Sequence, residues 1–113
     1  MNDELLREQA ELLQIFTRML QMPTQDGGNK RARGEKPNWR IDSSHLAAAE
    51  RHRLKRLSGE RYDRDSGAHH AIHEAWRLLA VAWQEGPTKE ESEVKSKPRG
   101  KKTEDVDLLT SYL

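Results

Sequence analysis

The feature that most constrains this chain is an apolar stripe near its centre. Ala68, Ala71, Ile72, Ala75, Leu78, Leu79, Ala82 and Trp83 recur at helical spacing, and Gly86-Pro87 follows as a stop. Ser66 stands where an N-cap belongs, so the pattern predicts a helix over about 67–85. Small residues dominate the start of the stripe, which lets a second helix approach closely there. A suitable partner lies just upstream. Asp42 or Ser43 can cap a helix that runs to about Ser58, and Gly59 is placed to end it in the left-handed conformation. Ala47, Leu54 and Leu57 share one side of that helix, with His45 and His52 on a neighbouring side.

A third amphipathic helix is expected from Asn2 to Gln21. Leu5, Leu6, Leu12, Leu13, Phe16, Met19 and Leu20 form its apolar face, and Pro23 with Gly27-Gly28 should end it. Residues 22–41 then read as a basic loop or linker carrying Lys30, Arg31, Arg33, Lys36 and Arg40. Trp39, close to a helix start, reads either as a lid on the core or as a ring that stacks on a base. Residues 42–86 form the core unit. From Pro87 to Lys102 the chain is rich in Lys, Glu, Ser and Pro and is expected to be disordered. Thr103–Leu113 is apolar enough for a last helical turn or a docked peptide.

The fold class that follows is all-α, a small bundle of about three helices. Of 113 residues, 34% are apolar and 35% charged, so a single copy buries a modest core. Completion by oligomerisation is therefore expected. The net charge of +1 gives no general pull toward nucleic acid, although the basic arm leaves that partner open. With no cysteine, disulfides, zinc–thiolate sites and thiol nucleophiles are excluded. No apolar run is long enough to span a bilayer, and the acidic, amphipathic start does not read as a signal peptide. A cytoplasmic location is the expectation.

The chemistry gathers around the loop between the second and third helices. Glu60, Asp63 and Asp65 lie in it, and His52, His69, His70 and His73 flank it. His70 and His73, three apart, share a helical face that Arg77 continues. An antiparallel pairing of the two helices would let His52 face His70 or His73, with the acids at the same end. Imidazoles beside carboxylates suit a first-row divalent ion, which could bridge phosphate oxygens or generate a hydroxide. The plainer reading is that the acids pair with Arg51, Arg61 and Arg64. His69 points away from the shared face and reads as a surface residue.

These residues also form a pattern. Asn38-Trp39, Arg51-His52, Gly59-Glu60, Asp63 and Ser66-Gly67-x-x-His70-x-x-His73 resemble a phage family, the N-terminal domain of dATP/dGTP diphosphohydrolase. The resemblance covers about residues 36–85. It implies an activity like that of the all-α MazG-type nucleotide pyrophosphohydrolases: dNTPs cut to monophosphate and pyrophosphate with a divalent metal such as Mg, Mn or Co. It implies His52, Glu60, Asp63, His70 and His73 as metal ligands, with Glu60, Asp63 and His52 activating water. Trp39, Arg40 and Arg77 would then contact the substrate. The chain lacks the family's usual Lys-Tyr before Asn-Trp and carries Arg77 where the family often has Asn. The MazG ExxE and ExxD helices are not recognisable. Two other expectations stand beside this one: an accessory protein that binds a nucleotide, signalling nucleotide or host protein without turnover, and a nucleic-acid binder using the basic arm.

Overall fold

The computed structural model of the protein describes residues 1–96. It is all-α: α1 (Asp3–Ala32), α2 (His45–Leu57), α3 (His70–Glu85) and α4 (Lys89–Ser96). Among the described residues there is no strand, only an isolated bridge between Tyr62 and His69. No described helix is long and apolar enough to cross a membrane.

Helices α2 and α3 form the packed centre. They run antiparallel, since His45 meets Arg77 while His52 meets His70. The expected contact faces need correction. Ala47, Leu54, Leu57, Ala75, Leu78, Leu79 and Ala82 are exposed. Helix α2 instead meets the side of α3 that carries His70, His73 and Arg77. Among the described residues, the buried hydrophobic side chains are Ala48, Ala49, Ala68 and Ala80. Five polar side chains are buried with them: Asp42, His45, Asp63, His70 and His73. The interior between these helices is thus largely polar, with little hydrocarbon in it.

Gly59 does end α2. It has φ of 104°, and the following Glu60 N–H reaches back to the Lys55 carbonyl, as in a Schellman turn. The expected start of α3 needs correction. The helix begins at His70, and His69 caps it by accepting a hydrogen bond from the Ala71 N–H at 2.9 Å. Ser66 Oγ does accept from the Ala68 N–H at 3.2 Å, but residues 67–69 are not helical, so Ser66 closes the turn before α3 and does not cap the helix.

The larger correction concerns α1. It does not stop at Pro23 but continues through Gly27-Gly28 to Ala32. Proline removes one backbone donor from a helix interior and crowds the preceding turn. Here the surroundings offset that cost. Pro23 is the one buried residue of α1, and the Trp76 indole N–H donates to Thr24 Oγ1 at 3.0 Å. Gln25–Asn29 and the Asp26–Lys30 ion pair, both at i,i+4, carry the helix past the glycines. The glycine that ends it is Gly34, with φ of 75° and Glu35 N–H bonded to the Lys30 carbonyl.

Part of the stretch expected to be disordered is also ordered. Thr88 accepts from the Glu91 N–H and starts α4. The expected apolar segment Thr103–Leu113 lies outside the described residues. Among the described residues, the apolar face on the first two-thirds of α1 is largely uncovered. Leu5, Leu6, Leu12, Leu13, Ile15, Phe16, Met19 and Met22 are each at least 41% exposed.

Candidate active site

His70 is fully buried at the start of α3, and both its ring nitrogens are engaged. Nε2 lies 2.8 Å from Glu60 Oε2. The hydrogen bond to His70 holds the Glu60 carboxyl below its ordinary range, helped by Arg64 at 3.0 Å. An ionised carboxylate only accepts, so His70 Nε2 carries the proton and Nδ1 presents a lone pair. That lone pair accepts from His52 Nδ1–H at 2.8 Å. Glu60 therefore orients His70 from behind, as carboxylates do for metal-binding imidazoles.

Asp63 is fixed by the turn that leads into α3. Its Oδ2 accepts from the Ser66 backbone N–H and from the Ser66 hydroxyl, both at 2.9 Å. Burial would push this carboxyl up, but the two Ser66 bonds, with His73 and His52 nearby, leave it lowered. Ser66 Oγ in turn lies 2.6 Å from His73 Nε2. Having given its proton to Asp63, the hydroxyl accepts from His73. His73 completes the cluster by stacking on His52, with ring centroids 4.5 Å apart and planes 8° apart.

Burial lowers the His52 pKa to about 4, with further depression from His73 and His70 outweighing Asp63. Burial lowers His73 as well, against the pull of Asp63. Near neutral pH both rings are uncharged, and a neutral imidazole is the form that binds a metal. Donor atoms of His52, Asp63 and His70 all lie within 4.8 Å of one another. Two imidazole nitrogens with one carboxylate oxygen fit a first-row divalent ion better than Mg, which prefers oxygen.

A narrow cavity of about 40 Å³ opens beside this cluster, lined by His52, Asp63 and His73 together with Lys36, Arg77 and the Asp26–Lys30 ion pair. It shares Gly27, Lys36, Trp76 and Arg77 with a larger cavity of about 430 Å³. Burial lowers the Lys36 pKa, and Arg77 and Lys30 add to the effect against Asp42 and Asp26. Crowded cations of this kind favour an incoming anion.

These observations place a metal-competent cluster against a basic cleft, and the family comparison agrees with the pattern. A family model, dATP/dGTP diphosphohydrolase, N-terminal, matches residues 6–94. The chain belongs to that family. No curated protein and no solved structure matches it.

Within this diphosphohydrolase-family chain, the residues singled out from sequence separate by position. His52, Asp63 and His70 come together as donors. Glu60 stands behind His70 and outside that set, and His73 is tied to Ser66. Asp65 is exposed and outside the cluster, whereas His69 is the cap of α3. Trp39 meets Trp83 edge-on at 4.9 Å and lines the larger cavity. Arg40 lies over the Trp39 ring at 5.0 Å, exposed and away from the cavity lining.

Arg77 borders both cavities but is already held by two partners. It contacts Asp42 Oδ2 at 3.3 Å and donates to His45 Nδ1 at 2.8 Å. Arginine cannot accept, so His45 carries its proton on Nε2 and donates it to the Trp39 carbonyl at 2.6 Å. Burial raises the Asp42 carboxyl, but the Ser44 hydrogen bonds, His45 and Arg77 bring it below its ordinary value. Sequence reasoning missed this Asp42–His45–Arg77 network and the role of Ser66. The available signal was the three-residue spacing of Trp39, Asp42 and His45, read only as a helix start.

Proposed function

We propose that this protein is a metal-dependent pyrophosphohydrolase of deoxynucleoside triphosphates, of dATP or dGTP type, serving phage nucleotide metabolism. The supporting observation is the convergence of His52, Asp63 and His70 beside a cleft that carries Lys30 and Lys36. In the reaction a water adds to the α-phosphorus, the bond to the bridging oxygen breaks, and pyrophosphate leaves with the monophosphate retained. His52, Asp63 and His70 would hold a divalent ion. When bound, such an ion supplies positive charge to phosphate oxygens and acidifies a water.

The remaining work falls to the chain. Glu60 fixes the tautomer of His70, and Ser66 fixes the carboxylate of Asp63. Asp63 is the carboxylate in this reading that would take a proton from the water, with Oδ2 already held by Ser66. Lys36 and Lys30 neutralise charge that develops on the phosphates. The test is a panel of dNTPs and NTPs with Mg, Mn or Co, read for pyrophosphate release. Binding without release would instead identify a non-catalytic nucleotide-binding accessory protein.

The working unit in this reading is a homo-oligomer. Its support is the contrast between a core of four alanines and the uncovered apolar face of α1. A second copy suits that face, because α1 and the groove beside α3 (Phe16, Met19, Leu20, Ile72, Leu78, Leu79) lie in the same chain and can exchange about a two-fold axis.

A further inference from the structure

The cavity of about 430 Å³ has two unlike walls. One carries Trp39, Trp76 and Trp83, the three tryptophans of the chain. The other is the bare backbone of α1 at Gly27-Gly28. Interior glycines weaken a helix relative to alanine, so a pair of them calls for a cause. Backbone conformation is not that cause, because neither has a positive φ. Packing within the chain is not the cause either, since a Cβ on either glycine would meet no atom within 4 Å. The space that two side chains would occupy is open, in a cavity that the tryptophans also line. Trp76 is pinned to α1 through Thr24, so this slot has a fixed width at that point.

We propose that this cavity is the nucleobase subsite, with the planar ring held between the Gly27-Gly28 backbone and the tryptophan wall. The proposal deepens the hydrolase reading and rests on it. A flat π-system gains from aromatic rings on one side and from close backbone approach on the other. The volume lies within the usual range for small-molecule sites. Arg31 and Lys36 also border the cavity, and Lys36 continues into the narrow cavity beside His52 and Asp63. A nucleotide lying this way directs its phosphates from Lys36 toward the histidine cluster. The exposed Arg40 has no part in it.

The experiment titrates dAMP, dGMP and inorganic tripolyphosphate into the full-length protein with Mn, following tryptophan fluorescence and calorimetric heat. All three tryptophans report on the one cavity. The monophosphates should quench them, and tripolyphosphate should bind with little quenching. Gly27→Leu and Gly28→Leu should weaken dAMP at least 10-fold and leave tripolyphosphate within about 3-fold. Gly27→Ala and Gly28→Ala, which add one methyl each, should melt at or above the parent temperature and show a smaller loss in the same direction. They keep the test open if the leucine variants fail to fold. Folded variants that bind dAMP like the parent would overturn the subsite while leaving the hydrolase reading intact. Equal loss of dAMP and tripolyphosphate, or a changed oligomeric state by light scattering, would also overturn it. A parent that binds none of the three probes would remove the hydrolase reading itself.

Discussion

The α2–α3 pair and the free stretch of α1 invert the usual arrangement. Inside the pair, three histidines and two aspartates are buried among four alanines. On α1, eight large apolar side chains face outward. Buried polar groups are tolerated only when their hydrogen bonds are made, and here they are, through Glu60, Ser66, Arg77 and the Trp39 carbonyl. The pair is therefore built around satisfied polar groups, and in the proposed homo-oligomer much of the hydrophobic stabilisation would come from a second copy over α1.

The sharpest break of that contrast is a charge on the apolar face. Phe16→Asp should cost several kcal/mol by desolvating an unpaired carboxylate in an interface. Dissociation or unfolding by light scattering and circular dichroism is the expected outcome. A parent already monomeric at micromolar concentration would contradict the cover assigned to α1.

The next effect lies inside the pair. His52→Ala should lower pyrophosphate release at least 100-fold, and Glu60→Gln about 10- to 100-fold, the usual loss for a group that orients a ligand. His73→Ala should also reduce it, by freeing the Ser66 hydroxyl and removing the ring stacked on His52. Equal rates in His52→Ala and parent would place the chemistry elsewhere.

The pH dependence separates the two regions again. The His52 pKa falls from 6.5 to about 4 in the folded chain, and His73 is also lowered. The unfolded chain thus binds more protons between about pH 6.5 and 4. Their contribution to stability is fully present above pH 6.5 and is lost as pH falls through that window. Thermal melts in chelator should show this decline, and His52→Ala should flatten it.

The smallest effect belongs to His69. Loss of its cap on α3 should cost about 1 kcal/mol, with activity kept within a few-fold. A loss of activity matching that of His52→Ala would show that the capping ring belongs to the site.

Much of the fold was legible because its signals are local. Gly59 and Gly86-Pro87 mark the ends of α2 and α3, whereas the alanine-rich stripe does not mark their contact. It lines the groove beside α1, and α2 meets the face of His70, His73 and Arg77. The length of α1 was not legible. Pro23 and Gly27-Gly28 read as breakers, and only the burial of Pro23, the Trp76–Thr24 bond and the i,i+4 pairs carry the helix onward. In the site, the meeting of His52 with His70 follows from antiparallel pairing across a short loop. The places of Glu60 behind His70 and of Ser66 between Asp63 and His73 depend on the path of that loop, which spacing does not specify.

The most direct test of the central claim is a calorimetric titration of the chelator-treated protein with Mn or Co, parent against His70→Ala and His69→Ala. Saturable binding at one ion per chain is expected in the parent and in His69→Ala. In His70→Ala the affinity should fall by at least 100-fold, because the variant loses the imidazole that Glu60 orients. Parent protein that takes up no ion, or His70→Ala that binds as tightly as the parent, would contradict it.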